Sequence, residues 1–511
     1  MLSNYESKTK ILIKTFIISY ASQCIGILLS IISVPLLLNF LDRELFGIWS
    51  IVFGALNYVS VNYFGIPTIV TILVSQLEKN YEKYQAIKKY LLLVTFFSFL
   101  LILCLVAFNH YYPNWFLLLG NISFDNQIPA KISIIFISFA LLVRIICSVF
   151  LAAFSGFQKP YLVKIYELAY GIASFLALVI SLITKKNLLT LAISTSFCSI
   201  FVSLIICTHF HFLNIKSTKM YGKSKLISMK FLFSYGGTYF KAGFISVAVW
   251  LFHNMIISRI VGVSDYPQYS LLFRLVTVAF LFGVFLAQTN IAIFGNSVKL
   301  KNWSKIKSLY EIQLELFPIL AGIISISILF FSQNIVEIWT RRSDLYAGLN
   351  VVFFLCLYGT LSVYINLCNS LITILNLPNC IYKIARFEFF LLIFSTFVFT
   401  KLFLLPGAAF AIALTSFVIL YFILIDLLKK ITINNIKFDS VVINKKQIYL
   451  LLLCFSISYL YLILNNGFFS KVIYFIMIII TYLLISLRLI SLNSKTFIKE
   501  KFLKIVQKFY C

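Results

Sequence analysis

Residues 15–38 read TFIISYASQCIGILLSIISVPLLL, a run of 24 positions without a charged side chain. A bilayer's hydrocarbon core is about 30 Å thick and takes about 20 apolar residues of helix to cross. A cleavable leader would have a shorter apolar core and a small-residue cleavage site, so this run is expected to span the membrane and stay. Its polar residues are ordered. Ser19, Gln23, Gly26, Ser30 and Ser33 recur at helical spacing and share one face. Runs of the same kind follow at 46–75, 90–112, 132–153, 161–183, 188–208, 231–257, 270–294, 312–331, 349–375, 382–403, 406–428, 448–464 and 470–490. The sequence therefore predicts an all-α polytopic membrane protein with about fourteen transmembrane helices.

Composition agrees with that reading. Of 511 residues, 61% are hydrophobic and only 12% are charged, about half the charged share of a soluble domain. Lipid can solvate the outward faces of such helices, whereas a soluble fold could not hide so much apolar surface. The formal net charge of +27 would suggest nucleic acid for a soluble chain. Here the basic residues are dispersed over many short connections, and no nucleic-acid partner is expected. If the N-terminus is cytoplasmic, about 31 of the 43 Lys and Arg fall in cytoplasmic segments and 9 in outer ones. That bias sets both ends of the chain in the cytoplasm. The ten cysteines stand singly, without a C-x-x-C pair. Cys104, Cys147, Cys198, Cys207 and Cys454 lie within apolar runs and are expected to be buried small hydrophobes. No metal or disulfide framework is indicated.

The chain also repeats itself. Phe16-x-x-Ser19-Tyr20 in the first span matches Phe231-x-x-Ser234-Tyr235 in the seventh, and Ser50-x-x-Phe53 in the second matches Ser270-x-x-Phe273 in the eighth. Gln158-Lys159-Pro160-Tyr161-x-x-Lys164 precedes the fifth span, as Leu377-Pro378-Asn379-Cys380-x-x-Lys383 precedes the eleventh. Three matches in the same order indicate a duplication of six spans. The expected organisation is a six-helix lobe over 1–217, a second over 218–430, and two further helices with a basic tail over 431–511. Parallel repeats of this kind are typical of transporters, with the substrate path between the halves.

Three cations fall inside spans: Arg144 in the fourth, Lys241 in the seventh and Arg274 in the eighth. Under the repeat, Lys241 corresponds to Gly26 and Arg274 to Gly54. A cation deep in a span normally faces water or a partner, so these three are the candidate substrate-binding residues, and unpaired cations favour an anionic ligand such as a phosphate group. Gln23, Asn57, Thr238, Thr277 and Gln288 lie on the same polar faces and are candidate lining residues, although small and polar residues also glue helices together in lipid. Glu167, Glu388 and His253 are candidates for ion coupling. An interfacial pair of Glu167 with Lys164 or Lys159 is the plainer reading of that acid. No Walker A loop or paired-carboxylate cluster is present in the sequence, so neither a built-in ATPase nor an enzyme is read from it and no cofactor is expected.

Two loops carry a family resemblance. Leu41-Asp42-Arg43-Glu44-Leu45-Phe46-Gly47-Ile48-Trp49-Ser50 is similar to the loop L-G-x-x-x-[FY]-G of the multidrug/oligosaccharidyl-lipid/polysaccharide exporter superfamily, with Asp42 in place of its glycine. Val261-Gly262-Val263-Ser264-Asp265-Tyr266-Pro267-Gln268-Tyr269-Ser270 repeats the theme, and Phe154-Ser155-Gly156-Phe157-Gln158-Lys159-Pro160 resembles the stretch before that family's fifth span. Within the superfamily the chain most resembles Wzx-type flippases of lipid-linked oligosaccharides, over about residues 10–430. The resemblance implies two six-helix lobes in a V-shaped bundle plus two C-terminal helices. It implies transfer of an undecaprenyl-diphosphate-linked oligosaccharide, an O-antigen or similar unit of lipopolysaccharide biosynthesis, across a bacterial inner membrane. Alternating access through a cationic central cavity would carry it, with membrane lipids and polysaccharide polymerase machinery as partners. A drug/cation antiporter of the same superfamily would need acidic residues in the cavity. A polysaccharide polymerase or glycosyltransferase would need a larger outer loop than the longest here, 113–131.

Overall fold

The computed structural model describes residues 2–491 and 494, apart from 63–65, 78, 185–186, 215–228, 282–302, 376, 423–431, 434–435, 438–444 and 465–466. Helix accounts for every expected span within those residues. α1 (Leu2–Leu38) is the first, and α2 (Arg43–Asn62) with α3 (Ile66–Gln76) is the second. α4 (Asn80–Tyr111), α5 (Phe124–Gly156), α6 (Pro160–Ile183), α7 (Leu188–Asn214) and α8 (Met229–Val261) are the third to seventh. Residues 266–281 form α9 and open the eighth. α10 (Trp303–Thr340) and α11 (Leu349–Ile374) follow. The eleventh and twelfth run through α12 (Pro378–Phe422), and α13 (Lys445–Leu464) and α14 (Phe468–Leu489) complete the set. The one sheet among the described residues is a hairpin of two short strands, β1 (Thr432–Ile433) and β2 (Ile436–Lys437).

Local chemistry sets where the helices begin and turn. The Asp42 carboxylate accepts the Leu45 N–H at 2.7 Å and caps α2, and the Asn187 side chain accepts the Thr190 N–H at 2.8 Å before α7. Pro160 stands at the first position of α6, where a missing N–H costs nothing. α12 doubles back on itself at Leu404, whose φ of 54° is non-helical. Phe399 therefore meets Phe410 and Ser395 meets Thr415, at 3.3 Å between hydroxyls. A side chain at Gly407 would collide with the Phe399 carbonyl, so the return of the chain requires glycine there.

The chain forms two compact units, Met1–Pro267 and Gln268–Cys511. The repeat in the sequence turns over at 217/218, but α8 packs on α2, α3 and the 3-10 turn Trp115–Leu119, and so belongs to the first unit. In that unit α5 is the central mast, against α2, α3, α4, α6 and α7. Small residues allow the close approach: a Cβ on Gly156 would lie 2.5 Å from the Val74 Cβ, and the Thr71 hydroxyl donates to the Ala152 carbonyl at 3.1 Å. In the second unit α11 is buried between α10 and α12.

The last two helices pack on α10. Phe330 and Phe331 meet Phe475, and Tyr461 stacks on Tyr474 at 3.7 Å. Glu315 of α10 ties down the end of α14, accepting the Ser491 N–H at 3.0 Å and the hydroxyls of Ser491 and Ser494 at 2.9 and 2.5 Å. On the lipid side, α4 leaves Leu92, Phe96, Phe99, Leu103 and Val106 exposed. Cys104 shares that exposure, contrary to the burial expected of it: α4 covers little of its surface with protein, so its apolar residues meet lipid. Cys147 and Cys454 are buried, and Cys198 and Cys207 half-buried.

Glu315→Ala removes three accepted hydrogen bonds at once. It is expected to cost about 1–2 kcal/mol, discounted for partial exposure. The change should appear as a lower melting temperature of the detergent-solubilised chain and faster proteolysis after residue 489, with Glu315→Gln intermediate.

Candidate functional site

The three span cations have different surroundings. Lys241 is exposed on α8, roughly 18 Å along the helix from Met229 at 1.5 Å per residue. One turn before it, Thr238 is half-buried, and Gly237 has nothing within 4 Å of an added Cβ. Arg274 is half-buried on α9. The opposite face of α9 seats Val276 on Gly359 of α11, where an added Cβ would lie 2.8 Å from the valine Cγ1. The neighbouring Phe273 stacks between Tyr269 and Tyr358. Arg144 is enclosed in the first unit, 8% exposed, with its guanidinium 4.2 Å from the centre of the Tyr170 ring.

The polar faces divide into glue and open surface. Ser19 and Ser22 of α1 are buried, and Ser22 donates to the Lys164 carbonyl of α6 at 3.2 Å. Thr277 and Ser246 return their hydroxyls to their own helices, at the Phe273 and Ala242 carbonyls. Gln23 is half-buried, and next to it on the same face Gly26 has nothing within 4 Å of an added Cβ. Glycine in a membrane helix commonly serves close packing, but neither Gly26 nor Gly237 does so here. Asn57 lies on α2 with its side chain outside the described residues, as does the whole of Gln288.

The acids and the histidine stand on three different helices, α6, α12 and α8. Glu167 is exposed and pairs with Lys164 at 2.7 Å, the interfacial pair read from the spacing. Glu388 is half-buried near the start of α12. His253 is fully buried on α8, edge-on to Trp250 at 6.1 Å between ring centres.

The structure also assembles a cluster that the sequence reading had not singled out. At one end of the first unit, Arg43 pairs with Asp265 at 3.0 Å. Glu44 accepts the Ser123 N–H at 2.6 Å and the Asn126 amide at 3.3 Å, and Ser258 donates to the Leu119 carbonyl at 2.5 Å. Val263 lies over two glycines: a Cβ on Gly47 would run into its carbonyl, and one on Gly120, at φ +145°, would come within 2.7 Å of its Cγ2. The signal was present in the two related loops 41–50 and 261–266, which correspond under the repeat and here touch.

The described residues form fourteen helices of a polytopic membrane protein, with cations inside its spans. Solved structures agree at the level of fold. The chain is similar to the lipid II flippase MurJ in an inward closed conformation, at 15% identity and a TM-score of 0.65 over 92% of this chain and 99% of that one. It is similar to an inward-facing multidrug resistance MATE transporter at 11% identity and a TM-score of 0.62, over 80% and 96%. A Pyrococcus furiosus transporter of the same superfamily, described as having a binding pocket of reverse polarity that suggests a different function, matches at 14% identity and a TM-score of 0.58, over 81% and 94%. No curated protein sequence matches. A sequence model of the polysaccharide biosynthesis proteins matches residues 12–291, more than half of the chain. The chain belongs to that family.

Two glycines should respond oppositely to one added methyl group. Gly47→Ala forces the Val263 backbone to move and is expected to cost about 1–3 kcal/mol, as overpacking does. Gly26→Ala should change stability by less than about 0.5 kcal/mol. Thermal melts of the two variants beside the parent check both.

Proposed function

We propose that the chain is a flippase that carries a polyprenyl-diphosphate-linked oligosaccharide, such as an O-antigen unit, from the cytoplasmic to the outer leaflet of a bacterial inner membrane. The observation that carries this reading is the sign of the charge in the spans of a chain belonging to the polysaccharide family. Lys241 is exposed in mid-helix beside an open glycine, and Arg274 lies on α9 away from its valine seat. Lys241 supplies a point charge and Arg274 a planar fork for phosphate oxygens. The sugars and diphosphate follow this cationic, polar-faced path while the prenyl tail stays in lipid, since a diphosphate pays a prohibitive cost in hydrocarbon.

Gln23 and Thr238 line the path in this reading. Access alternates between the two faces of the membrane, both termini lie in the cytoplasm, and polymerase machinery takes up the delivered unit. His253 and Glu388 are the groups left for ion coupling, since Glu167 is engaged by Lys164.

The MATE likeness favours a drug/cation antiporter as the second reading, because the fold fits both. Charge separates them: a cationic drug requires acids where this chain has Lys241 and Arg274. The pocket of reverse polarity named for the Pyrococcus furiosus neighbour supports the view that this fold accepts either sign.

Lys241→Gln with Arg274→Gln should stop delivery of the glycan to the outer face and leave lipid-linked units on the inner leaflet. The pair Lys241→Arg with Arg274→Lys should retain part of the activity. Surface glycan staining and extraction of lipid-linked intermediates from a complemented deletion strain measure this. Unchanged surface glycan in the double Gln variant would remove both residues from the path.

A further inference from the structure

We infer that the first unit contains a binding site for a halide-sized monovalent anion, built around Arg144. This site does not depend on the substrate assigned above. Arg144 lies roughly 30 Å from the start of α5 and 18 Å from its end at 1.5 Å per residue, which is mid-membrane depth. Its residue is 8% exposed, and its Nε has no hydrogen-bond partner. Among the described residues no carboxylate pairs with it: the nearest acid along α6, Glu167, is held by Lys164. Its guanidinium lies over the face of Tyr170 at 4.2 Å, and its charge acts on the Cys147 thiol one turn on. A cation–π contact of about 2 kcal/mol when desolvated leaves most of the cost of burying a cation unmet, since the effective penalty is several kcal/mol per ion.

The surroundings at that depth donate hydrogen bonds. α5 and α7 run parallel, with Ser133 donating to the Leu188 carbonyl and Cys147 to the Ser203 carbonyl. That register sets Ser199 level with Arg144. Ser199 and Ser196, one turn apart on α7, are buried, and neither hydroxyl has a partner. Ser203, a turn further on, meets the Tyr170 hydroxyl at 2.8 Å, so this face of α7 turns toward the ring that carries the guanidinium. Arg144 Nε and the Ser199 and Ser196 hydroxyls are thus three buried donors at neighbouring levels without an acceptor. Buried polar groups are paired in almost every case, and the missing partner must accept hydrogen bonds and carry one negative charge. Enclosure among three helices of one bundle excludes a diphosphate with a sugar on one side and a prenyl chain on the other. A single halide ion matches the charge and the set of donors.

The test is the thermal melt of the purified full-length chain in nanodiscs, titrated with chloride or bromide against gluconate at constant ionic strength. The melting temperature should rise saturably with halide in the parent. Arg144→Gln should melt independently of halide. Ser199→Ala should keep the fold and raise the half-saturating concentration about threefold to tenfold. A parent indifferent to halide, or an Arg144→Gln response equal to the parent's, overturns the site. Should Arg144→Gln fail to fold, Ser199→Ala together with Arg144→Lys decides, and parental half-saturation in both overturns it. A pyrophosphate titration completes the set: stabilisation by pyrophosphate in place of halide, lost in Arg144→Gln, would overturn the halide assignment and return Arg144 to the substrate path. None of these readouts involves glycan transport, so the flippase reading and this site stand or fall separately.

Discussion

Hydrocarbon offers no partner to a polar group, and every feature of this chain answers to that constraint. Backbone groups must be paired within each span, which leaves only helices. Hydroxyls must find acceptors, and most find the carbonyl one turn back, as Thr277, Ser246, Thr360 and Thr415 do. Others join helices, as Tyr170 and Ser203 or Ser395 and Thr415 do. Attraction between apolar side chains adds little when lipid tails are equally apolar. Close approach must supply the rest, and it does so at Gly156 on Val74 and Gly359 on Val276.

Water returns at the helix ends, and there charge does the joining. The contacts respect the side of the membrane that charge bias assigns to each loop. Arg43, Glu44, Ser123, Asn126 and Asp265 all belong to connections expected outside, and they meet one another. Lys83 lies over the Phe157 ring, and both belong to segments expected inside. Glu315 and Ser491 likewise meet at helix ends expected inside. Contacts between loops on opposite sides would have broken the alternation, and a single missed span would have produced them.

Much of the fold was therefore legible in one sequence. Span length, apolar runs and alternating Lys and Arg are local properties, and fourteen helices follow from them. The hairpin inside α12 was foreseen as two spans, although its reversal at Leu404 rests on a conformation that no run of apolar residues reveals. Periodicity gives the face of a helix but not what covers it. Ser22 and Gly26 lie within one turn or so of each other on α1, yet one is buried against α6 and the other is open. Arg144 and Lys241 looked equivalent by depth. One is enclosed over a tyrosine ring and the other is exposed, because neighbours from α6 and α7 decide it. The same limit hid the Arg43–Asp265 pair, whose partners lie more than two hundred residues apart.

What the chain does turns on charge more than on fold. MurJ and the MATE transporters match this chain at TM-scores of 0.65 and 0.62, too close to choose between a lipid-linked glycan and a drug. On the flippase reading, the side chains on the polar faces set which headgroup is stabilised on the way. Here the first repeat has glycines at 26 and 54 where the second has Lys241 and Arg274. On that reading glycine gives room and cations give affinity, and a bulky anionic headgroup needs both. The asymmetry within the repeat is thus the feature from which the proposed polarity of the path is read, and it lies in side chains that the shared fold leaves free to vary.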